Sequence, residues 1–205
     1  GTYAVTATVT DTAGNATSDS TNNELVVDTT APAAPTVTAA TTNDTTPTLT
    51  GTATLGSGES LTVTVNGVTY TVGDGNLTHN AGNNTWSLTI PAGNALAEGT
   101  YAVTATVTDT AGNATSDSTN NELVIDTTAP VVPTVDAANT NNSTPTITGT
   151  ATLGSGESLT VTVNGVTYTV GDGNLTHDAG TNTWSLTIPA GNALNDGTYA
   201  VTATV

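Results

Sequence analysis

The groups in this sequence that could do chemistry are carboxylates and carboxamides, and they recur at fixed spacing. Asp109-Thr-Ala-Gly-Asn113 is preceded by an identical Asp11-Thr-Ala-Gly-Asn15, and Asp126-Thr-Thr-Ala-Pro130 by Asp28-Thr-Thr-Ala-Pro32. Oxygen donors of this kind suit a hard divalent cation, since Ca2+ takes its ligands from carboxylates, carbonyls and water. There is no Cys and there are only two His, so softer metals have no ligand set. Against 17 Asp plus Glu there is no Lys or Arg, a net charge of −17. Two carboxylates about 5 Å apart repel by roughly 3 kcal/mol at an effective dielectric near 20. Clustered acids would therefore need cations. The competing reading is a plain turn, because Asp and Asn bond their own backbone and Gly tolerates positive φ, with Asp126 merely capping its linker. Calcium leaves fewer charges unanswered and is the expectation carried forward.

The same charge balance excludes other functions. Nucleic-acid binding needs basic side chains to neutralise phosphates, and so does attraction to an anionic membrane surface. Disulfides are impossible without Cys, and an isopeptide bond is impossible without Lys. No apolar run is long enough to span a membrane. His79 and His177 occur once per repeat with no partner at catalytic spacing, and read as solvated loop residues. Gly73-Asp74-Gly75-Asn76 lacks the remaining ligands of an EF-hand loop. There is no phosphate loop, no nucleophile elbow and no reason for a cleft with paired carboxylates. The sequence points to no enzyme.

The elements that position these acids are set by a repeat. Gly1, Gly99 and Gly197 begin the same stretch, 98 residues apart, and residues 1–32 differ from 99–130 only at Val27, which becomes Ile125. Such self-similarity decides the architecture before any local reading. It divides the chain into 1–28, the last two strands of one repeat; 29–126, a complete repeat; and 127–205, a repeat without its last strand. Within 29–126 the Thr-rich alternation and Gly/Asn/Asp turns predict only strands. Strand A covers Pro35–Ala40, B Thr48–Leu55, C Leu61–Val65, and Val68–Val72 returns after Asn66-Gly67, a type I′ hairpin signal. Gly73–Asn84 reads as a polar loop. Strand E follows with Trp86, Leu88 and Ile90 inward, then F over Tyr101–Val107 and G within Ala114–Ile125. Seven short strands in this length predict an all-β, immunoglobulin-like sandwich, repeated end to end as a rod. Tyr101 is either the corner tyrosine of that fold or a plain core residue. Trp86 and Trp184 are expected in the core rather than as sugar platforms. The Thr-x-Thr ladders are read as β-propensity on a solvated face rather than as an ice-binding array. Glu24 and Glu122 in strand G are expected to be solvated.

Strand polarity then sorts the loops. Asp28 in the entering linker, Glu59 in the B–C turn, Asp74 near the C′–E loop and Asp109 with Asn113 in the F–G turn are expected to converge on one pole. The corresponding positions are Asp11 and Asn15 before them, and Asp126, Glu157 and Asp172 after. Asn43, Asp44 and Glu98, with Asn141, Asn142 and Asp196, make a weaker set at the other pole.

The motifs TATVTDTAGNAT and VIDTTAP, repeated in a Thr-rich acidic chain, resemble the bacterial Ig-like repeats of giant surface adhesins, including type I-secreted stalk domains. The resemblance covers the whole chain. It implies an extracellular or cell-surface stalk, rigidified by calcium between domains, that serves adhesion or biofilm scaffolding. By position it carries the ligand role to Asp109, Asn113 and Asp126 and to Asp11, Asn15 and Asp28; Glu59 and Glu157 come from loop geography. The expected partners are further copies of the repeat. The window from strand F to strand F reads as an excerpt of a continuous fibre, with strand exchange between separate subunits as the alternative. A different class of function, a glycan- or protein-binding module, is less favoured because the repeats match even in their loops.

Overall fold

The computed structural model describes residues 1–205, and the chain divides into two compact units, Gly1–Thr127 and Thr128–Val205. No helix is long and apolar enough to cross a membrane. Residues 1–28 form two small ribbons: β1 (Thr2–Tyr3) with β4 (Leu25–Val26), and β2 (Thr8–Thr10) with β3 (Ala16–Ser18). Every residue of these ribbons is exposed.

The rest of the first unit is the immunoglobulin-like sandwich expected. Its strands are β5 (Thr36–Val37), β6 (Ala40–Thr42), β7 (Thr48–Thr52), β8 (Ser60–Val65), β9 (Val68–Thr71), β10 (Leu77–Asn80), β11 (Thr85–Thr89), β12 (Gly99–Tyr101), β13 (Val103–Thr108), β14 (Ala114–Ser116) and β15 (Leu123–Ile125). One layer has the order β10-β11-β7-β5. The other combines β14-β13-β8-β9 with β12-β15-β6. Alternation decides which residues face inward: Leu49 on β7, Leu61, Val63 and Val65 on β8, Trp86 and Leu88 on β11, and Val103, Ala105 and Val107 on β13 are all buried. Their Thr neighbours face outward and pair across strands, as Thr64 does with Thr69 at 2.9 Å and Thr48 with Thr89 at 3.1 Å. The hydroxyl ladder is thus partly satisfied by itself.

Three local readings change. The first strand is split, because β5 pairs antiparallel with β7 in one layer while β6 pairs parallel with β15 in the other; the entering chain crosses between sheets. Strands F and G are split likewise, into β12/β13 and β14/β15. The stretch read as a polar loop, Gly73–Asn84, holds β10, which pairs with β11 and buries Leu77; a single inward leucine among polar residues gave too little alternation to show it. Asn66 and Gly67 have φ of 48° and 76°, the left-handed pair that a type I′ turn demands. Tyr101 donates its hydroxyl to the Ala97 carbonyl at 2.9 Å, so it is the corner tyrosine and not merely a core ring.

The second unit repeats this plan with β16 (Thr146–Thr150), β17 (Thr160–Val163), β18 (Val166–Thr169), β19 (Leu175–Asp178), β20 (Thr183–Thr187) and β21 (Val201–Thr204). They form two three-stranded sheets, β16-β20-β19 and β18-β17-β21. The core again centres on a tryptophan, Trp184, with Leu159, Val161, Leu175 and Leu186 around it.

Candidate functional site

Part of the expected pole assembles. The turn between β13 and β14 is closed by Asp109, whose Oδ1 accepts the Ala111 and Asn113 N–H groups at 2.9 Å each. Its Oδ2 accepts the Asn113 side-chain amide at 2.8 Å. The same Nδ2 donates to the Asp28 carbonyl at 3.0 Å, which ties the entering linker to this turn. Asp28 in turn caps Thr30 N–H through Oδ1 at 3.0 Å. The β7–β8 turn lies alongside: a Cβ on Gly58 would come within 2.7 Å of Thr110 Cγ2. Glu59 closes that turn by accepting Gly56 N–H at 2.8 Å.

Asp74 does not join them. It caps its own turn, accepting N–H from Thr71, Asn76 and Leu77. That turn abuts the far end of β11, where Thr89 N–H donates to the Asn76 carbonyl at 3.1 Å. The Thr85 end, opposite Thr52, is the one beside the β7–β8 turn. The chain crosses layers between β9 and β10, and Asp74 sits in that crossing, just after the end of β9 where Thr71 lies opposite Thr62. Asp172 repeats its arrangement with Thr169, Asn174 and Leu175, and Glu157 repeats that of Glu59, with Gly154 at 2.7 Å. Asp11 and Asn15 form the Asp109–Asn113 cap again. Asp126 places its N–H on the Thr42 carbonyl at 3.0 Å.

Asp11, Glu59, Asp74, Asp109, Glu157 and Asp172 each cap a turn of their own. No group of three or more Asp, Glu or His side chains is placed to hold a metal ion. The charges are met by N–H and amide donors. The Asn113 amide, then its backbone, holds the Asp109 carboxyl below the usual carboxylate range, and the Asn15 amide does the same for Asp11. The Leu77 and Leu175 N–H groups lead the same effect at Asp74 and Asp172. A calcium ion at the Asp28–Asp109 joint could draw on the Asp109 carboxylate, the Asp28 carbonyl and water. Asn113 would contribute only with its amide turned over, because it now presents a donor to both neighbours.

Glu122 and the two histidines, set aside in the sequence reading, have structural work, and so has Asp117. Glu122 is not solvated; it is 5% exposed. Its Oε2 accepts the Val103 N–H at 2.9 Å, and its Oε1 is buried with no partner. Asp117 accepts the Ala105 N–H at 2.8 Å. Between β14 and β15 the chain bulges away, and these two carboxylates take the place of backbone carbonyls along β13. Glu24 bonds Val5 N–H in the same way at 2.9 Å, but in the open. His79 and His177 are also not loop residues; each sits on a strand with Nε2 2.8 Å from the carbonyl of Ala53 or Ala151. The broken alternation at Asp117–Glu122 was the available signal for the first pair.

Burial pushes the Glu122 carboxyl up, and the bonds from Val103, its own N–H and Thr119 outweigh it, leaving it below the ordinary value. A carboxyl lowered by folding gives stability that is present above its unfolded value and lost as pH falls through its folded one. Glu122→Gln is therefore expected to flatten the acid limb of a melting-temperature-against-pH profile below about pH 4.3. It should also cost about 1–3 kcal/mol at neutral pH by burying an unpaired amide donor. An unchanged acid limb would remove Glu122 from this role.

Residues 36–127 match the family described as bacterial Ig-like domain. Among solved structures, the chain is similar to one from a 1.5-MDa bacterial ice-binding adhesin (24% identity, TM-score 0.42, covering 97% of this chain and 70% of that one). It is also similar to a tetra-tandem repeat in the extending region of a large adhesion protein (27%, TM-score 0.34, 97% of this chain and 50% of that one). A titin Z1Z2 tandem chimera is a third (15%, TM-score 0.32, 82% and 96%). No curated protein of matching sequence was found.

Proposed function

We propose, from the premise that residues 36–127 are a bacterial Ig-like domain, that this chain is part of an extender: a run of sandwiches that spaces something else away from a cell surface. The observation that carries the reading is the repetition itself. Residues 1–32 and 99–130 differ at one position, turns included, and a ligand-reading surface has no use for identical loops on successive domains. A spacer does. The bacterial adhesin setting follows from the DTAGNAT and DTTAP motifs, and adhesion or matrix scaffolding is the corresponding role. The role is mechanical, with no reaction assigned.

Calcium at the joints is the second part of the proposal. Its support is the charge of −17 with no basic side chain, together with the meeting of the Asp28 carbonyl, Asn113 and Asp109. One experiment separates the two parts. Small-angle scattering from chains of two, three and four repeats in calcium should show the longest dimension growing linearly, by about 40 Å per repeat at roughly 3.3 Å per strand residue plus turns. Excess chelator should lower the melting temperature, since a site at a hundredfold its Kd contributes about 2.7 kcal/mol. Failure of the linear growth sinks the extender. Linear growth with a melting curve indifferent to chelator sinks calcium alone and leaves the turns capped by their own N–H groups.

A further inference from the structure

Glu122 carries a charge that nothing in the chain answers. It is the one buried polar or charged side chain of the core. Its Oε2 is taken by the Val103 N–H, and its Oε1 is enclosed with no partner, the only buried side-chain oxygen or nitrogen so left. An orphan of this kind calls for a bound water or ion. A buried carboxylate is ordinarily paired with a cationic side chain, bound to a metal ion, or neutralised by a proton. Pairing is impossible without Lys or Arg, and both histidines are engaged with carbonyls elsewhere. Protonation is opposed by the hydrogen bonds that hold the carboxyl below its ordinary value. Water would complete the bonding and leave the charge. A cation from solution completes both.

The bulge around Glu122 offers such a cation a set of oxygens. Ser116 pairs with Thr106 and Leu123 with Tyr101, so residues 117–122 must span the gap opposite 102–105. Six residues against four force the backbone to arch away from β13, and two carboxylates reach in beneath it. The N–H groups they bond, those of Val103 and Ala105, lie two residues apart, about 7 Å along the strand. Asp117 bonds Ala105 through Oδ1 and accepts the Thr119 hydroxyl on Oδ2 at 2.9 Å. The same Thr119 side chain helps to keep Glu122 ionised, so it reaches both acids. Ser118–Asn121 are exposed. The sequence Asp-Ser-Thr-Asn-Asn-Glu occurs again at 19–24, where Asp19 and Glu24 bond Ala7 and Val5 at 2.8 and 2.9 Å. The pairing of the two acids on alternate N–H groups is therefore a property of the bulge itself.

We propose that the bulge between β14 and β15 is a calcium site within the domain, with Glu122 and Asp117 as its carboxylate ligands. Ca2+ takes six to eight oxygens, and Thr119, the carbonyls and carboxamides of Ser118–Asn121 and water supply the others. The ion neutralises both acids and clips the bulge to β13, between the two pairings that hold strand G. The site uses no residue of the joint between Asp28 and Asp109, and it stands or falls apart from calcium there.

Calorimetric titration of the 205-residue protein with calcium chloride tests it, in a background of Asp109→Asn that removes the carboxylate of the joint. Adding Glu122→Gln to that background should take one bound ion from the count. Adding Asp117→Asn should do the same, and this variant keeps an oxygen for the Ala105 N–H and so keeps the fold. Calcium should raise the melting temperature of the first unit in Asp109→Asn and leave it unmoved once either substitution is added. Equal ion counts with and without both substitutions overturn the proposal and leave Oε1 to a water molecule. A count that falls with Asp109→Asn but with neither bulge variant removes this site and spares the joint. The reverse pattern supports the bulge and removes the joint.

Discussion

Gly51→Ala should lower the stability of the first unit by about 3 kcal/mol or more, at the upper end of what overpacking a core does. Gly51 sits on β7 between Leu49 and Ala53, under the indole of Trp86 and against the carbonyl of Thr36. A Cβ there would stand 2.5 Å from Trp86 Cζ2 and inside contact distance of the Thr36 oxygen. The ring is fully buried and the carbonyl belongs to the neighbouring strand, so neither can yield without parting β5 from β7. Gly149, under Trp184 and beside Thr134, repeats the geometry at 2.6 Å. Each unit has its own core. In a calorimetric melt, Gly51→Ala should shift the transition of one unit and Gly149→Ala that of the other. A melt unmoved by Gly51→Ala would mean that the first strand does not lie against β7.

Trp86→Ala should cost about 3–5 kcal/mol, the usual range for deleting a buried indole. Trp86 is 1% exposed and fills the middle of a core that has no Phe or Met to flow into the space. It also has a polar task, since Nε1–H donates to the Thr36 carbonyl at 3.0 Å. Trp86→Phe separates the two roles. It keeps much of the volume and leaves that carbonyl without its donor, for about 1–3 kcal/mol. Denaturant midpoints of the two variants should therefore be well separated. Equal losses would show that the hydrogen bond, and not the packing, holds the strand.

Much of this was legible in advance because strands advertise themselves by alternation. Leu61-x-Val63-x-Val65 and Trp86-x-Leu88-x-Ile90 could bury one face in only one way, and Asn66-Gly67 fixed the hairpin between partners. What escaped was decided by partners distant in sequence. Nothing near Ala40 indicates that it leaves β7 to run beside Leu123. Leu77 alone could not signal β10. Glu122 looks like any surface acid until the bulge after Ser116 turns it onto Val103. Loop polarity brought Asp28, Asn113 and Asp109 together correctly. Asp74 bonds the N–H groups of its own turn instead, in the crossing between the layers.

The parallel pairing of β6 and β15 has a mechanical consequence. The first of these strands lies near the start of the repeat and the other at its close, side by side and pointing the same way. Tension on the flanking linkers drags them in opposite directions along their shared axis. Their bonds, such as Ala40 to Glu122 and Asp126 to Thr42, are then strained together in shear, whereas peeling would break them one after another. Pulled from its two ends, the first unit would meet its stiffest resistance at this seam.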